Sequence, residues 1–362
     1  MPPPRSSVGR SGWGRCPARL RSLLVLFVIV FTALAPIGQA HAAPVSWAAL
    51  DRSLGAIAPK SNLLIAEFAG SGCEPIHGRD EDQRLAIASV FKLYVLAELA
   101  RQVQRGTVSW TDRVALRDDL RSMPMGDYAF EPAGTRVPVR TLAEAMIWRS
   151  DNTATDHLIH LLGRANVYGA LAAFGHTDSS INSPLLLTRE LFAIKMTQSP
   201  EWMRRYMSAS DSEQMAMLKT DIDPLRLNPG GGWGNWNGPT AIDGIEWFAS
   251  ATELCRASAS LWSLGAQRGL EPVRGILTGN RDMVQDRKAW KRAGYKAGLE
   301  SGVVNMTYIL QRSDGRIFFV SAGYNATRGT IDRVTAKAAL VPVFACLGAR
   351  LGNTSCTNQL EG

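Results

Sequence analysis

The amino-acid sequence predicts an α+β fold in which an antiparallel sheet is built from both chain ends and flanked by helices. Strand-like segments at 63–68 and 84–87 lie near the start. Two more, at 303–311 and 317–322, lie near the end, and the stretch between has helical apolar spacing. Strands grouped apart from helices are typical of α+β proteins, so the two chain ends are expected to share one sheet.

The first half of the chain supports this order of elements. The two early strands are short apolar runs around a Gly-containing polar turn. The pattern becomes helical at Ser89, and the mostly apolar residues up to Gly106 predict a helix buried on most sides. Three further helical stretches follow, at 141–163, 164–174 and 187–220.

The second half begins with a break in periodicity. Residues 221–250 include the Gly/Trp-rich run 229–239, which predicts a long irregular loop, and such loops are often functional. The run from Ser250 to Glu253 has the pattern of a capping box and predicts a new helix. Ser313-Asp314-Gly315 is a turn signal between the two late strands, and 333–347 predicts a closing helix.

Residues 1–42 have the pattern of a secretory signal peptide. Five arginines and no acidic residue occur in 1–21, an apolar run follows at 23–36, and Ala40-His41-Ala42 fits a cleavage site. The apolar run is shorter than the roughly 18 residues that a membrane-spanning helix needs. We therefore expect cleavage after Ala42, secreted or periplasmic localisation, and no stable membrane span afterwards. An uncleaved membrane anchor is the alternative.

Composition and charge restrict the class of partner. The chain is 46% hydrophobic and 20% charged, which excludes a mainly disordered or collagen-like protein. The formal charge of +8 falls to about +3 without the leader, and no basic run remains, so no nucleic-acid partner is expected. His157 and His160 are three apart, but no further histidine completes a zinc pattern, so neither metal nor cofactor is predicted. A monomer with a small-molecule substrate is expected.

Four cysteines follow the leader: Cys73, Cys255, Cys346 and Cys356. An even number in an exported chain favours disulfides over a metal site, although four cysteines allow three pairings. The pair Cys346–Cys356 is favoured because it would close a short loop. Buried free thiols are the alternative.

The first motif with chemical potential is Ser89-Val90-Phe91-Lys92 at a predicted helix start. A spacing of three places both side chains on one helix face, so the Lys92 amine can reach the Ser89 hydroxyl. A lysine that burial has deprotonated can act as the base for such a serine. Backbone N–H groups at the helix N-terminus suit an anion that develops beside Ser89. A surface serine and lysine at a helix cap is the alternative.

Two further motifs follow at longer range. Ser150-Asp151-Asn152 can supply a second hydroxyl as a proton relay and an amide that orients base and substrate, although these residues also form ordinary caps and turns. Lys296-Ala297-Gly298 precedes the late hairpin. A lysine at a strand edge would attract an anionic substrate, and the glycine allows close approach of a bound chain.

Together and in this order, the motifs resemble those of the serine β-lactamase and penicillin-binding-protein superfamily, most closely class A β-lactamases. Pro132-Ala133-Gly134-Thr135 and Leu161-Leu162-Gly163, on either side of the second motif, extend the resemblance. It implies a β-lactamase/transpeptidase-like fold. The implied domain is 43–362, with a sheet part (43–88 and 288–362) and a mostly helical part (89–287) that contains an insertion (221–250).

The resemblance also implies a role for each motif residue. Ser89 would be the acylated nucleophile and Lys92 its base or proton relay. The backbone N–H groups of Ser89 and Leu299 would form the oxyanion hole. The expected catalytic residues are thus Ser89, Lys92, Ser150, Asn152 and Lys296, and the expected substrate-binding residues are Gly298, Leu299 and Ser301.

The sequence departs from the class A pattern in two ways. Class A enzymes carry a loop glutamate that activates water about 36 residues after the second-motif serine, and this chain has Leu186 there, in a loop after Gly175 that reads as shortened. The nearby Glu190 is expected on a helix surface, with a role as base the less favoured alternative. Ala297 replaces the usual Thr or Ser, which puts recognition of a penicillin carboxylate in question, and Ser301 is a candidate replacement.

The motifs predict an exported, metal-independent serine hydrolase, and the class A resemblance implies that it opens β-lactam-type amides through a Ser89 acyl-enzyme. An esterase or D-alanyl-D-alanine peptidase relative is the first alternative, favoured by the missing glutamate and by Ala297. A penicillin-binding acyl trap with little turnover is the second. Trp233 and Trp236 in the insertion are candidates for a lid or a sugar-stacking surface, and anchoring of the loop is the alternative.

Overall fold

The main sheet has five antiparallel strands contributed by both ends of the chain. The computed structural model describes residues 46–70, 72–124, 126–226 and 238–349. The main sheet has the order β2-β1-β9-β8-β7, and β3 pairs with β6 and β4 with β5 in two small ladders. The strands are β1 (Lys60–Ala69), β2 (Gly72–Arg79), β3 (Leu85–Ala86), β4 (Arg113–Ala115), β5 (Arg136–Pro138), β6 (Phe248–Ala249), β7 (Trp290–Glu300), β8 (Val303–Arg312) and β9 (Ile317–Asn325).

Helices cover both faces of the sheet, and the predicted α+β class is confirmed. Within the described residues there are eleven α-helices: α1 (Trp47–Gly55), α2 (Lys92–Gln104), α3 (Val139–Trp148), α4 (Asn152–Leu162), α5 (Arg164–Ala173), α6 (Thr188–Thr197), α7 (Pro200–Ser208), α8 (Asp211–Met217), α9 (Ala251–Leu264), α10 (Glu271–Leu277) and α11 (Arg333–Gly348).

The core consists of one apolar layer on each face of the sheet. Alternation along β1 directs Leu63 and Ile65 to the layer with α1 and α11, and Leu64 to the layer with α2. Helix α2 lies at the centre of the larger layer, and its first nine residues, 92–100, are all buried. The prediction of a helix buried on most sides is therefore confirmed.

The second strand of the main sheet is not the one that the sequence predicts. The neighbour of β1 is β2, whereas the predicted strand 84–87 contributes only Leu85–Ala86, which pairs with β6. Strand β2 contains Pro75 next to a register shift opposite β1 and is partly exposed. Proline and bulges are tolerated at a sheet edge but weaken the strand signal in the sequence.

The predicted helical stretch 187–220 is divided into α6, α7 and α8. Ser199 and Ser210 cap the second and third of these helices, each accepting a hydrogen bond from a backbone N–H. Residues 238–247 are irregular, as predicted for the insertion, whereas Trp233 and Trp236 lie outside the described residues. The predicted signal peptide, 1–42, also lies outside them.

A disulfide joins Cys73 on β2 to Cys255 on α9, with 6.3 Å between the Cα atoms. This bond excludes the alternative of free thiols for these two residues and ties the edge strand to a helix of the larger layer. The favoured pair Cys346–Cys356 includes Cys356, which lies outside the described residues. Over the described part of the chain, no helix has the length and apolar character needed to cross a membrane.

Candidate active site

Ser89 lies in a short 3₁₀ helix, Ala88–Phe91, between β3 and α2. Ala88 has a φ of 43°, in the left-handed region that alanine rarely adopts. Strained backbone of this kind is common at functional sites because the surrounding structure must hold it. The preceding Ile87 N–H donates to the carbonyl of Trp247 at 2.8 Å, which fixes the entry of the chain into this turn.

An aromatic stack also holds the Ser89 turn in place. The rings of Phe91 and Trp247 are 3.8 Å apart and nearly parallel, at 7°. The Trp247 indole N–H donates to the carbonyl of Leu186 at 3.1 Å, so its ring orientation is fixed. The backbone that carries Ser89 is therefore held by both packing and hydrogen bonds.

Lys92, the first residue of α2, is buried and contacts residues of the second motif. Its Nζ donates to Asn152 Oδ1 at 2.6 Å, to the Ser150 carbonyl at 2.8 Å and to Ser150 Oγ at 3.1 Å. Burial lowers the pKa of Lys92 from its usual 10.5 to about 7, although the charges of Asp151 and Asp156 oppose that shift. A large fraction of Lys92 is therefore neutral near pH 7 and able to accept a proton.

Ser150 connects α3 to α4 and has a φ of 58°. Its Oγ lies 3.1 Å from Lys92 Nζ and 3.0 Å from Lys296 Nζ, so two amines converge on one hydroxyl. Lys296 Nζ also donates to the Ala297 carbonyl at 2.6 Å. Burial, and then the charge of Lys92, lower the pKa of Lys296 well below its usual range.

Asp151 has a structural task in this motif. Its Oδ1 accepts the Ala154 N–H at 2.7 Å and caps α4, and its Oδ2 accepts the N–H groups of Asp127 and Tyr128 at 2.8 and 3.1 Å. Gly126 has a φ of 107°, and a Cβ there would lie 2.1 Å from the Asp151 carboxylate. Asp151 thus holds the loop at 126–128 against the start of α4.

Asn152 presents an amide beside the lysine. Its Oδ1 accepts from Lys92, whereas its Nδ2 is buried and has no hydrogen-bond partner among the described residues. A buried N–H group without a partner is costly, so this donor is suited to a substrate acceptor.

Strand β7 passes directly beside the Ser89 turn. A Cβ on Gly298 would lie 1.8 Å from the carbonyl oxygen of Ile87 and 3.2 Å from the Ser89 nitrogen, so only glycine permits this approach. Leu299 follows on the strand and is 38% exposed. The backbone N–H groups of Ser89 and Leu299 thus belong to two segments in close contact.

One cavity of about 460 Å³ adjoins these groups. Five of the eight predicted site residues line it. The other three, Lys92, Asn152 and Gly298, contact lining residues or one another through the hydrogen bonds and the close approach described above. The lining residues are Ser89, Ile147, Trp148, Arg149, Ser150, Lys296, Ala297, Leu299, Glu300, Ser301, Gly302, Val304, Thr330, Ile331 and Arg333. The structure therefore brings all eight predicted site residues together.

Glu190 is not part of this cavity, and its predicted surface position is wrong. Its side chain is buried at the start of α6, where Oε2 accepts the Leu187 N–H at 2.7 Å and Oε1 pairs with Arg164 at 2.5 Å. Burial raises its pKa, opposed by the charge of Arg164. Glu190 thus completes a helix cap. Leu186, at the position where a loop glutamate is expected, is a buried apolar residue.

Three residues near the site, Glu300, Arg333 and Asp156, were not identified from the sequence motifs. Glu300 and Arg333 line the cavity, the first on the motif strand and the second at the start of α11. Alternation along β7 would have placed Glu300 on the face of Lys296, whereas nothing in the local sequence points to Arg333. Asp156 accepts the N–H groups of Thr188 and Arg189 at 2.8 and 2.9 Å, and burial raises its pKa to about 7.

Among the residues that the structure describes, no group of three or more His, Cys, Asp or Glu side chains could hold a metal ion. His157 instead accepts the Arg117 N–H at 2.8 Å and lies 2.7 Å from the Thr153 carbonyl. Its position is therefore fixed by backbone hydrogen bonds.

Comparisons with known proteins agree with this fold. Residues 71–221, which include the first two motifs, match a family model described as the Beta-lactamase enzyme family. The resemblance to the serine β-lactamase and penicillin-binding-protein superfamily is confirmed, and the chain has a β-lactamase-like fold. No curated protein sequence matches the chain.

Three solved structures illustrate the similarity. A β-lactamase from Sphaerobacter thermophilus is 19% identical, with 84% of this chain and 97% of that chain covered and a TM-score of 0.58. PBP-A is 16% identical, with coverages of 84% and 96% and a TM-score of 0.54. A β-lactamase from Xanthomonas campestris is 18% identical, with coverages of 83% and 93% and a TM-score of 0.51. At these identities the likeness establishes the fold alone.

Proposed function

We propose that this chain is an exported serine hydrolase that opens β-lactam-type amides through an acyl-enzyme on Ser89. The observation that carries the proposal is the convergence of Lys92 and Lys296 on Ser150 Oγ, in the wall of the cavity that Ser89 lines. A nucleophilic serine, an amine with a pKa of about 7 and a second hydroxyl are the groups that acyl transfer needs.

In the proposed acylation, Ser89 Oγ attacks the amide carbonyl and its proton passes towards neutral Lys92. The developing oxyanion would accept hydrogen bonds from the N–H groups of Ser89 and Leu299. Ser150 would deliver a proton to the leaving nitrogen, and Lys296 would attract an anionic group of the substrate. The free Nδ2 of Asn152 would hold a substrate carbonyl.

A second candidate is an esterase or D-alanyl-D-alanine peptidase relative. It is favoured by Leu186 at the position of the loop glutamate and by Glu190, which is engaged in a helix cap. Ala297 lacks the hydroxyl that would hold a β-lactam carboxylate. A penicillin-binding acyl trap is the third candidate. One variant of PBP-A is known as an acyl-enzyme complex with penicillin G, so the fold accommodates such an adduct.

One experiment separates these candidates. Purified protein is mixed with a chromogenic cephalosporin, and turnover and intact mass are followed together. We expect sustained turnover and a transient adduct on Ser89. A single stoichiometric burst with a stable adduct would indicate the trap, and hydrolysis of an activated ester without a cephalosporin adduct would indicate the esterase. Full activity in Ser89→Ala would refute all three.

We also propose that residues 1–42 direct export and are removed. The Cys73–Cys255 disulfide supports an oxidising compartment. N-terminal sequencing of the protein released by a secreting host should begin at Ala43. A start at residue 1 or 2 in the membrane fraction would contradict cleavage. After cleavage we expect a monomer whose partner is its small-molecule substrate.

A further inference from the structure

A buried cluster of one amine and two carboxyl groups links three separate segments of the chain. Lys195 Nζ on α6 donates to Glu300 Oε1 at 2.6 Å and to Glu246 Oε1 at 2.9 Å. All three side chains are at most 2% exposed. Glu300 is the last residue of β7, and Glu246 lies two residues before β6. Lys195 therefore joins the end of β7 to the segment that leads into β6.

The charges of this cluster compensate one another. Burial alone would lower the pKa of Lys195, but the charges of Glu246 and Glu300 raise it above its usual value, so the amine stays cationic. Burial, and then the charge of Glu246, raise the pKa of Glu300 well above its usual range, and the charge of Lys195 opposes them. Glu300 therefore holds its proton to higher pH than a free carboxyl group, and a neutral amide of the same shape is a close substitute for it.

The Glu246 end of the cluster continues into the turn that carries Ser89. Glu246 Oε2 accepts the N–H of Trp247 at 3.1 Å, so this carboxylate also holds the residue that follows it. The Trp247 carbonyl accepts the Ile87 N–H at 2.8 Å, and the Trp247 ring stacks on Phe91 with 3.8 Å between the ring centres. Because Ile87 and Phe91 lie on either side of Ser89, both contacts hold the Ser89 turn.

The Glu300 end of the cluster follows directly on Leu299, whose N–H is the second donor of the proposed oxyanion hole. Strand β7 is at the edge of the main sheet, and an edge strand has a hydrogen-bonded neighbour on one side only. Its position beside the Ser89 turn is fixed at Gly298, which lies against the Ile87 carbonyl. Lys195 provides a second connection beyond Leu299. The two segments that carry the oxyanion-hole donors are thus joined on both sides of the hole.

We propose that Lys195 is a positioning residue that, through Glu300 and Glu246, fixes the two backbone N–H groups of the oxyanion hole relative to each other. This inference rests on the proposed function, because the hole is used only if Ser89 is acylated. An oxyanion hole stabilises the transition state only when both donors lie within hydrogen-bond distance of the developing oxyanion. Loss of the cluster should therefore slow acylation and leave the affinity for intact substrate nearly unchanged.

The first test removes the amine. In Lys195→Met we expect the acylation rate constant to fall about 10–10²-fold, with the apparent Kd for the chromogenic cephalosporin within about threefold of wild type, both by stopped-flow absorbance. Arg312→Met is the matched control, because it also removes a buried cation from an ion pair, at the opposite end of the β7–β8 ladder. It should lose stability and keep its acylation rate. Equal losses of acylation rate in the two variants would overturn the inference.

A boronic acid gives a measurement that a general loss of stability does not change. When phenylboronic acid reacts with Ser89, a bond forms between boron and Ser89 Oγ, the hydroxyl proton is released, and a tetrahedral boronate anion results. One boronate oxygen then occupies the place of the oxyanion. The affinity, measured by competition with the cephalosporin, should fall in Lys195→Met by the same factor as the acylation rate and stay unchanged in Arg312→Met. Slower acylation with unchanged boronate affinity would overturn the inference.

A second pair of variants decides the question if Lys195→Met does not fold, as judged by circular dichroism. Glu300→Ala removes the link to β7 but leaves the pair of Lys195 and Glu246, so we expect folded protein with a similar loss of acylation rate. Glu300→Gln retains an acceptor for Lys195 and should stay within about threefold of wild type. Wild-type acylation in Glu300→Ala, or equal losses in both Glu300 variants, would overturn the inference. Absence of any Ser89 adduct in the wild-type protein would instead refute the proposed function.

Discussion

Lys92 is a residue whose environment changes its chemistry. An exposed lysine is cationic at neutral pH, but burial of Lys92 next to Asn152 and Ser150 lowers its pKa to about 7. The residue type and spacing could be predicted from the sequence, since both follow from one helical turn. The pKa could not, because it depends on burial by elements far away in the chain.

Replacement of Lys92 by arginine tests its role as a base. A guanidinium stays protonated at all accessible pH values, so Lys92→Arg retains the charge but cannot accept a proton. We expect the rate of Ser89 acylation to fall at least about 10²-fold, measured by rapid-quench mass spectrometry. Unchanged acylation in this variant, with native circular dichroism, would show that another group takes the proton.

The pH dependence of acylation follows from the same lysine. The neutral amine is the active form, and it becomes populated as the pH rises through the Lys92 pKa of about 7. The acylation rate should therefore be low at pH 5, rise about tenfold per pH unit below pH 7 and level off above it. A flat profile between pH 5 and 9 in stopped-flow measurements would contradict this assignment.

At the scale of elements, the contact between β7 and the Ser89 turn depends on Gly298. A Cβ in Gly298→Ala would lie 1.8 Å from the Ile87 carbonyl oxygen, so the strand or the turn must move. We expect a loss of about 1–3 kcal/mol in the free energy of unfolding, by urea titration, together with strongly reduced acylation. Gly72→Ala is the control, because no atom lies within 4 Å of a Cβ there. Equal behaviour of the two variants would argue against this contact.

The observed helices and strands show which sequence patterns were sufficient to predict an element. Apolar strands and mostly apolar helices were predictable because their pattern is local, as in β9 and α2. Strand β2 was missed because an edge strand with Pro75 carries little apolar pattern. The single stretch 187–220 was divided because Ser199 and Ser210 act as caps, a signal that helical periodicity alone does not contain.

The whole molecule is held together in part by the Cys73–Cys255 disulfide, which closes a loop of 182 residues. Such a closure restricts the unfolded chain, and removal of a native disulfide typically costs about 2–5 kcal/mol. The variant with both cysteines replaced by serine should lose stability in this range in urea unfolding. Reductant should lower the stability of wild type by more than it lowers that of the double variant. An equal response of both to reductant would place the redox effect elsewhere.

The candidate site is predictable only in part because it is assembled over long range. Ser89, Ser150 and Lys296 could be found by motif, since each lies in a short segment with its own signature. Glu300 and Arg333 belong to the same cavity but have no local signature of that role. Their proximity depends on how β7 and α11 meet the helical part, which a single sequence does not reveal.

Because both chain ends contribute strands to one sheet, the topology also constrains when these strands can pair during synthesis. Leu63 on β1 pairs with Ala322 on β9. About 260 further residues must therefore be synthesised before β1 can pair with β9. Lys296 lies on β7, which also belongs to the late part of the chain. The cavity is therefore incomplete until β7 has been synthesised. The central strands of the main sheet can therefore pair only after nearly all of the chain has been synthesised.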